Sequence, residues 1–204
     1  MGVYNERILP YLMDIAMADS ILGDYRQTAL AEVSGAVLEI GFGTGLNLPH
    51  YPDHVRQLVT VDPSPGVHRL AQKRIAASPI AVDHRMLGGE ALPMGDRTFD
   101  SVVSTFTLCS IAQIEPALAE IYRVLKPGGR FFFVEHGLSD EPAIQTWQNR
   151  LTPIQKRIAG GCHLNRNIRR LVEQQFDHVV IGAAYAPNLP KVAGYFYQGV
   201  ATKL

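Results

Sequence analysis

Apolar residues recur at helical spacing through the first 35 residues of the chain. One set lies on a single helical face and consists of Ile8, Leu12, Ile15 and Ala16. A second set follows on a face of its own and consists of Leu22, Tyr25, Ala29, Leu30 and Val33. Ser34 and Gly35 end the pattern, since glycine commonly follows the last turn of a helix. The sequence therefore predicts a helical segment over residues 1–35.

Beyond residue 35, short runs rich in β-branched residues alternate with segments of helical period. Strands are predicted at 36–40, 57–62, 80–87, 99–106 and 129–136, and helices near 65–77 and 114–125. Pro127, Gly128 and Gly129 predict a turn between the second helix and its strand. Because strands that alternate with helices form parallel β-α-β units, we expect an α/β sandwich with helices on both faces of one sheet.

The last third of the chain has a helical pattern first and a strand pattern after it. Residues 142–175 are again helical in pattern, and two strand-like runs follow, DHVVIGAAYA and GYFYQGVATKL. The proline-rich stretch APNLPK joins these runs and suits a loop. We therefore expect an antiparallel hairpin at the edge of the sheet.

Composition narrows the classes of function. The chain has 204 residues, 47% of them hydrophobic, which is enough for one sizeable core. Its 19 basic and 19 acidic residues cancel, so no overall field favours nucleic acid. The stretch MGVYNERILP lacks the features of a signal peptide, and no apolar run approaches the length of a membrane span. Cys109 and Cys162 form neither a disulfide framework nor a metal-ligand pattern, so we predict a cytoplasmic protein without a metal.

The run VLEIGFGTGLN, Val37–Asn47, places glycines at positions 41, 43 and 45 directly after a predicted strand. In an open parallel sheet, ligands bind at the carboxyl ends of strands, where glycines let the backbone approach them closely. A dinucleotide-binding loop has its third glycine where this chain has Leu46. The spacing instead resembles that of class I S-adenosylmethionine-dependent methyltransferases. Glu39 suits this cofactor, whose sulfonium and ammonium groups are cations.

Three further segments agree with this cofactor in their order and spacing. Asp62 closes the second strand, where an acid can accept hydrogen bonds from ribose hydroxyls. Glu90 and Ala91 follow the third strand, where such enzymes hold the adenine edge, and the fourth strand ends near the reacting methyl group at Thr105, Phe106 and Thr107. The predicted cofactor site consists of Glu39, Gly41, Phe42, Gly43, Gly45, Asp62, Pro63, Glu90, Ala91 and Thr105.

Segments along nearly the whole chain resemble one family of small methyltransferases. They are VLEIGFGTGLNLPHYP, TVDPSP, FTLCSI, RVLKPGGRFFFVEHG, WQNRLTP and GGCHLNR. The family includes vertebrate methyltransferase-like alkyl-thiol methyltransferases and many bacterial relatives. Vertebrate members carry an N-terminal hydrophobic anchor, whereas this chain begins with amphipathic helices, so membrane residence does not carry over.

The resemblance also implies an architecture. We expect a three-layer, Rossmann-like α/β fold with a seven-stranded, mostly parallel sheet, one antiparallel edge strand and an N-terminal helical lid. A single domain over 1–204 would then comprise the helical segment 1–35, a cofactor-binding half 36–140, and acceptor-side helices with a terminal hairpin at 141–204.

Several residues are candidates for a role in catalysis or in acceptor binding. His136 ends the fifth strand, where it could act as a general base or simply bond a nearby carbonyl. Cys109 fits an inert buried thiol or a reactive one. The motif GGCHLNR, with Cys162 and His163, suits a substrate lid or a helix N-terminus. Two aromatic residues could line an acceptor pocket or belong to the core: Trp147 and Tyr185.

Residues 142–172 contain no acid but six basic side chains, Arg150, Lys156, Arg157, Arg166, Arg169 and Arg170. These side chains are either solvated helix faces or a contact for an anionic acceptor or phospholipid headgroup. The predicted reaction is methyl transfer from S-adenosylmethionine to a small, apolar acceptor, with a thiol as first candidate. N-methylation of a phospholipid amine or another small metabolite, and a non-catalytic cofactor-binding module, are the alternatives. Peripheral contact with a membrane is compatible with the sequence.

Overall fold

The computed structural model describes residues 4–204. A π-helical turn, Tyr4–Ile8, leads into the helices, which are α1 (Leu9–Met17), α2 (Ser20–Leu30), α3 (Pro65–Ala77), α4 (Ile114–Val124), α5 (Pro142–Ile158) and α6 (Ile168–Gln175). The strands are β1 (Val37–Ile40), β2 (Gln57–Val61), β3 (Ala81–Arg85), β4 (Phe99–Thr105), β5 (Leu125–His136), β6 (His178–Tyr185) and β7 (Tyr195–Thr202). Residues 1–3, which begin both the predicted helical segment and the stretch lacking signal-peptide features, lie outside the described residues.

The seven strands form one sheet in the order β3-β2-β1-β4-β5-β7-β6. Strands β1 to β5 pair in parallel, and β7 is antiparallel to both of its neighbours, β5 and β6. The mostly parallel sheet with one antiparallel strand is thus confirmed, as is the terminal hairpin. Strand β6 forms the edge of the sheet, and β7 lies one place inside it.

Helices cover both faces of the sheet, as the β-α-β pattern predicts. All four residues of β1 are buried, which is expected of a central strand covered on both sides. The consecutive residues Phe131, Phe132 and Phe133 divide between the two cores, because side chains along a strand alternate in direction. Phe131 and Phe133 pack in the core that includes α4 and α6, whereas Phe132 packs in the core that includes Leu30 and Ala71 of α2 and α3.

The turn predicted at 127–129 is wrong, because β5 begins at Leu125 and continues through these residues. Gly128 has a φ of +76°, yet its N–H donates to the Lys203 carbonyl at 2.7 Å, and Lys203 N–H donates to the Gly129 carbonyl at 3.0 Å. Phe99 of β4 pairs with Leu125 of β5, but Ser101 pairs with Arg130. The extra residues of β5 between these two pairs form an irregularity within the strand. Residues 127–129 therefore belong to β5 and are hydrogen-bonded to Lys203 near the end of the chain, where the sequence predicted a separate turn.

The two N-terminal helices bury different fractions of their apolar residues. In α2, Leu22, Ala29 and Leu30 are buried, as helical periodicity predicts. In α1, by contrast, Leu9 and Pro10 are buried, whereas the predicted apolar face with Leu12 and Ile15 is exposed. Across residues 4–204, none of the helices combines the length and the apolar character needed to cross a membrane.

Candidate active site

A cavity of about 450 Å³ lies at the carboxyl ends of β1, β2 and β4. Its walls come from the turns that follow strands, within 41–47, 61–64, 88–90 and 105–112. Helix α1 forms another wall and closes over the glycine-rich turn. The cavity therefore lies at the sheet edge where the sequence predicts a cofactor.

The glycine-rich turn needs its first two glycines for different reasons. Gly41 has a φ of +74°, and a Cβ there would lie 2.1 Å from the side chain of Thr107, which packs across the turn. Gly43 has a φ of +57°, and a Cβ there would meet no atom within 4 Å. The bare backbone at Gly43 therefore faces open space in the cavity, where a ligand can approach it.

Asp62 lies at the end of β2 and lines the cavity, with only 8% of its surface exposed. Its Oδ2 accepts a hydrogen bond from Gly43 N–H and its Oδ1 accepts one from Ser64 N–H, both at 2.9 Å. Burial raises the pKa of Asp62, while these two backbone donors oppose the rise. These two bonds fix the carboxylate in place. Its oxygens still have lone pairs that can accept hydrogen bonds from the hydroxyl groups of a nucleoside.

Glu39 is buried behind the cavity and does not line it. Its Oε1 accepts a hydrogen bond from Asn47 Nδ2 and its Oε2 accepts one from Tyr51 O–H, both at 2.8 Å. Burial raises the pKa of Glu39 to about 8, although both hydrogen bonds act to lower it. Asn47 itself lines the cavity and also bonds Thr105, so Glu39 reaches the site through Asn47.

Only the first part of the predicted adenine-binding segment after β3 lines the cavity. Glu90 lines the cavity together with Gly88 and Gly89, which the motif analysis did not single out. Ala91 is exposed and lies outside the lining. Its successor Leu92 donates its N–H to Glu120 at 2.6 Å, so this backbone turns away toward α4.

The end of β4 presents a short polar and aromatic segment to the cavity. Thr105, Phe106 and Thr107 all line it, and their place near the methyl group stays a prediction. Phe106 has a φ of +54°, an unfavourable value for a residue with a side chain, and strain of this kind concentrates at functional sites. Its N–H donates to the Val134 carbonyl at 2.8 Å, which ties the strained residue to β5.

Phe42 and Pro63 also line the cavity, as predicted. Gly45 does not, although its φ is +82°. A Cβ at Gly45 would lie 3.2 Å from the Phe42 ring and 3.3 Å from Leu48. Gly45 is thus needed for the backbone conformation and the close packing of the turn.

Arg26 is a cavity residue that the sequence analysis missed. It lies on α2, is buried, and is the only basic side chain lining the cavity among residues 4–204. One terminal nitrogen donates to the Met17 carbonyl at 2.9 Å, and the guanidinium lies 5.3 Å from the centre of the Phe106 ring. Within the described chain its buried Nε has no partner. Burial lowers the pKa of Arg26 to about 10, with Glu39 opposing this, so the group remains a cation.

Helix α1 is fastened over the glycine-rich turn by Asp14. Its Oδ1 accepts hydrogen bonds from Thr44 Oγ1 at 2.5 Å and from Arg74 at 2.8 Å. Arg74, on α3, also donates to the Thr44 carbonyl at 3.1 Å. The N-terminal helix α1 is therefore held over the glycine-rich turn and covers part of the cavity, as expected of a lid.

His136 lies at the end of β5 but outside the cavity lining. Its Nε2 lies 2.8 Å from Cys162 Sγ, and Cys109 completes a buried group of three. The hydrogen bond from Cys162, with His136 nearby, holds the pKa of Cys109 well below its ordinary value. The sequence spacing of these residues gave no sign of this cluster, which forms only when three separate elements meet.

The remaining candidates lie away from the cavity, except for Gly160 at the start of GGCHLNR, which lines it. Trp147 is exposed on α5, and Tyr185 packs edge-on against Tyr195 with its hydroxyl 2.6 Å from Ser139 Oγ. His163 N–H donates to the Cys109 carbonyl at 2.9 Å, which anchors the loop between α5 and α6. Arg166 donates to the carbonyls of Leu108 and Ile111, so this member of the basic segment is structural.

Comparisons with known proteins agree with this site. The family model described as "Methyltransferase domain" matches residues 38–133, which include the glycine-rich turn and Asp62. The chain is 37% identical to thiol S-methyltransferase TMT1B of Rattus norvegicus over 70% of its own length and 60% of that protein. It is 31% identical to human thiol S-methyltransferase TMT1A over 78% of its own length and 69% of that protein.

A solved structure supports the fold independently. An S-adenosylmethionine-dependent methyltransferase from Thermotoga maritima superposes with a TM-score of 0.69 at 20% identity, covering 98% of this chain and 97% of that one. The described residues also offer what the cofactor requires: an open backbone at Gly43, a fixed acid at Asp62 and a buried cation with an unpartnered nitrogen at Arg26. The chain therefore belongs to the class I S-adenosylmethionine-dependent methyltransferases, in the family of the TMT1 thiol S-methyltransferases.

Proposed function

We propose that this protein methylates a small, apolar thiol. The observation that carries the proposal is a set of apolar and small residues in the cavity lining, here called the acceptor wall. Its residues are Leu9, Pro10, Met13, Met17, Phe106, Ile111, Ala112, Ala159 and Gly160. The titratable side chains in the cavity lining are Asp14, Arg26, Asp62 and Glu90, and within residues 4–204 the lining contains no histidine, lysine or cysteine. Such a wall favours an apolar substrate that supplies its own nucleophile.

The other side of the cavity is suited to S-adenosylmethionine, which supplies an electrophilic methyl group on a sulfonium. We propose that Asp62 accepts both ribose hydroxyls and that Glu90 contacts the adenine. Arg26 would bind the carboxylate of the cofactor, because the buried Nε of Arg26 has no hydrogen-bond acceptor within the described residues. Glu39 acts through Asn47, whose amide it orients. Ala91 has no part in this arrangement, since it lies outside the cavity.

The protein's contribution to the reaction is positioning in a water-poor cavity. A thiol needs only to ionise, with its proton passing to solvent, after which its sulfur attacks the methyl carbon as the bond to the sulfonium sulfur breaks. The apolar wall aligns the thiol and excludes competing water. His136 lies behind the cavity, so a thiol acceptor fits the geometry better than an amine or hydroxyl that must lose a proton to a general base.

Product analysis tests this proposal. The protein is incubated with isotopically labelled S-adenosylmethionine and, separately, a small alkyl thiol, an alkyl amine and an alkyl alcohol of the same chain length. We expect labelled thioether and no labelled amine or ether. Methylation of the amine alone, lost in His136→Ala, would instead support the alternative with His136 as general base. Cofactor binding without any product would support the non-catalytic alternative.

We also propose that the molecule touches lipid surfaces from its N-terminal side. Leu12 and Ile15 of α1 are 52% and 76% exposed, and Ile158 at the end of α5 is 52% exposed. Tyr4 O–H donates to the Ile158 carbonyl at 2.9 Å, so these two exposed regions adjoin. Lys156 and Arg157 are exposed on the same end of α5, which suits anionic headgroups beside a shallow apolar face.

Vesicle sedimentation tests the lipid contact. The protein should sediment with vesicles that contain an anionic phospholipid, less with neutral ones, and Ile15→Asp should abolish sedimentation while its helical circular dichroism is retained. Val180→Asp, on exposed β6, is the matched control. Sedimentation that Ile15→Asp leaves unchanged would refute this contact.

Two further expectations stay predictions. A cytoplasmic location is supported by the free thiols of Cys109 and Cys162, which a reducing compartment preserves. The division of one domain into a helical segment at 1–35, a cofactor-binding half at 36–140 and an acceptor side at 141–204 is supported by the origin of the cavity walls, although Ala159 and Gly160 are the only acceptor-wall residues from beyond 140.

A further inference from the structure

Two thiols and one imidazole form a compact buried cluster beside the cavity. The ligand atoms of Cys109, His136 and Cys162 all lie within 4.8 Å of one another. Cys109 is 2% exposed and Cys162 is 6% exposed. His136 Nε2 approaches Cys162 Sγ to 2.8 Å. The two sulfur atoms are thus buried, and the imidazole of the half-buried His136 lies against them.

The three residues come from three different elements that are fixed to one another. Cys109 follows β4, His136 ends β5, and Cys162 lies in the loop between α5 and α6. This loop is tied to the β4 side by the hydrogen bond from His163 N–H to the Cys109 carbonyl at 2.9 Å. Cys162 N–H donates to the Ala159 carbonyl at 3.1 Å, which shapes the loop itself. The cluster therefore has a rigid backbone frame.

The two ring nitrogens of His136 have different surroundings, because Nε2 faces Cys162 Sγ whereas Nδ1 lies on a different side of the ring. Within the described residues, His136 Nδ1 is buried and has no partner, and the adjacent Glu135 Oε2 is also buried without one. A disulfide between Cys109 and Cys162 would consume the thiol that now contacts His136 and would leave both ring nitrogens without a partner. A cation bound between the two sulfurs and the imidazole would instead use all three donors.

We propose that Cys109, His136 and Cys162 bind one soft divalent metal ion, Zn²⁺, through two thiolates and one imidazole nitrogen. Donors on one tetrahedral zinc ion lie about 3.5–3.8 Å apart, given bonds of about 2.3 Å to sulfur and about 2.0 Å to nitrogen. The present separations require only small side-chain movements to reach this geometry. Because zinc binds thiolates and neutral imidazole, the protons that these three side chains still carry are released when the ion binds.

The proposed ion would join two segments that shape the cavity. Ser110, which lines the cavity, lies beside Cys109, with Oγ 3.5 Å from Sγ. Ala159 and Gly160 of the acceptor wall lie three and two residues before Cys162. A metal held by Cys109 and Cys162 would therefore fix the acceptor end of the cavity. The metal site itself does not depend on which acceptor is methylated.

Metal titration of the full chain tests the proposal. Reduced protein is stripped with a chelator and titrated with Zn²⁺ against a chromophoric competitor, and Co²⁺ is used in parallel because thiolate coordination gives it a characteristic charge-transfer absorption. We expect one ion per chain. We expect affinity to fall at least about 100-fold in Cys109→Ala, Cys162→Ala and His136→Ala. His178→Ala, on exposed β6, is the matched control and should bind like wild type.

A second measurement guards against variants that fail to fold. In the wild-type protein, Zn²⁺ should slow alkylation of both cysteines and raise the melting temperature, neither of which requires a substitution. The proposal is overturned if reduced wild-type protein binds no Zn²⁺, or if folded Cys109→Ala and Cys162→Ala bind it as tightly as wild type. It is equally overturned if mass spectrometry of the unreduced protein finds a Cys109–Cys162 disulfide and no metal.

Discussion

The carboxylate of Asp62 accepts a hydrogen bond from the backbone N–H of Gly43 at 2.9 Å, so the residue after β2 is tied directly to the turn after β1. This bond holds the acid beside the one glycine of the turn whose α-carbon faces open space. Acid and bare backbone thus form one unit of the cofactor site.

Asp62→Ala should weaken binding of S-adenosylhomocysteine by about 10- to 150-fold, because ribose hydroxyls lose a charged acceptor worth about 1.5–3 kcal/mol. Isothermal titration calorimetry measures the effect. Asp83→Ala, which removes an exposed acid on the neighbouring strand, should bind normally. Equal affinities for Asp62→Ala and wild type would remove Asp62 from the cofactor site.

Gly43→Ala should abolish or strongly reduce cofactor binding while the protein still folds, since the added methyl group points into the cavity. Gly128→Ala is a close control, because Gly128 also has a positive φ and open space around it but lies far from the cavity along β5. Both substitutions carry a similar backbone strain. Comparable loss of binding in the two variants would mean that strain, and not contact with the ligand, explains the result.

Arg26→Met should weaken S-adenosylhomocysteine about 10- to 150-fold, because it removes the charge that we assign to the ligand's carboxylate while keeping an apolar stem. The same variant should bind 5′-methylthioadenosine, which lacks the carboxylate, as well as wild type does. Calorimetry with the two ligands separates the roles. A parallel loss for both ligands would show that Arg26 supports the fold of the cavity and not the carboxylate.

Glu39 should make stability depend on pH. Burial raises the pKa of Glu39 from its ordinary 4.5 to about 8. Between these values the folded chain keeps a proton that the unfolded chain has lost, so the free energy of unfolding falls as pH rises, by up to about 1.4 kcal/mol per pH unit. Glu39→Gln removes this contribution.

Denaturant titrations of wild type and Glu39→Gln at about pH 5 and about pH 8 measure the difference between them. The stability of Glu39→Gln relative to wild type should increase toward the higher pH. Curves that stay parallel across this range would show that Glu39 ionises in the folded chain as it does in the unfolded one.

Much of the fold could be predicted because its signals are local. Alternating strand and helix patterns located the elements of the sheet, and the spacing of Gly41 and Gly43 before Asp62 located the cofactor edge. The start of β5 at Leu125 could not be predicted from local signals. Gly128 and Gly129 are part of the strand because they form hydrogen bonds with Lys203, which is distant in sequence.

The features of the site that the sequence did not predict depend on contacts between distant parts of the chain. Arg26 reaches the cavity because α2 packs against β5 and β7, and helical periodicity marks its position only as an interruption of an apolar face. Glu39 was expected at the cofactor, but Asn47 and Tyr51 enclose its carboxylate. Cys109 and Cys162 meet only because the loop after α5 folds back on β4.

The acceptor assignment is tested most directly by pH–rate profiles for two apolar alkyl thiols of similar size but different pKa. Because the cavity lining within the described residues contains no histidine, lysine or cysteine, the acceptor's own ionisation should supply the nucleophile. At subsaturating acceptor, the rate should rise with pH to a plateau, and its midpoint should shift between the two substrates by the difference in their thiol pKa values. One midpoint shared by both thiols would place a general base in the protein, and the absence of any methylated thiol would contradict the account outright.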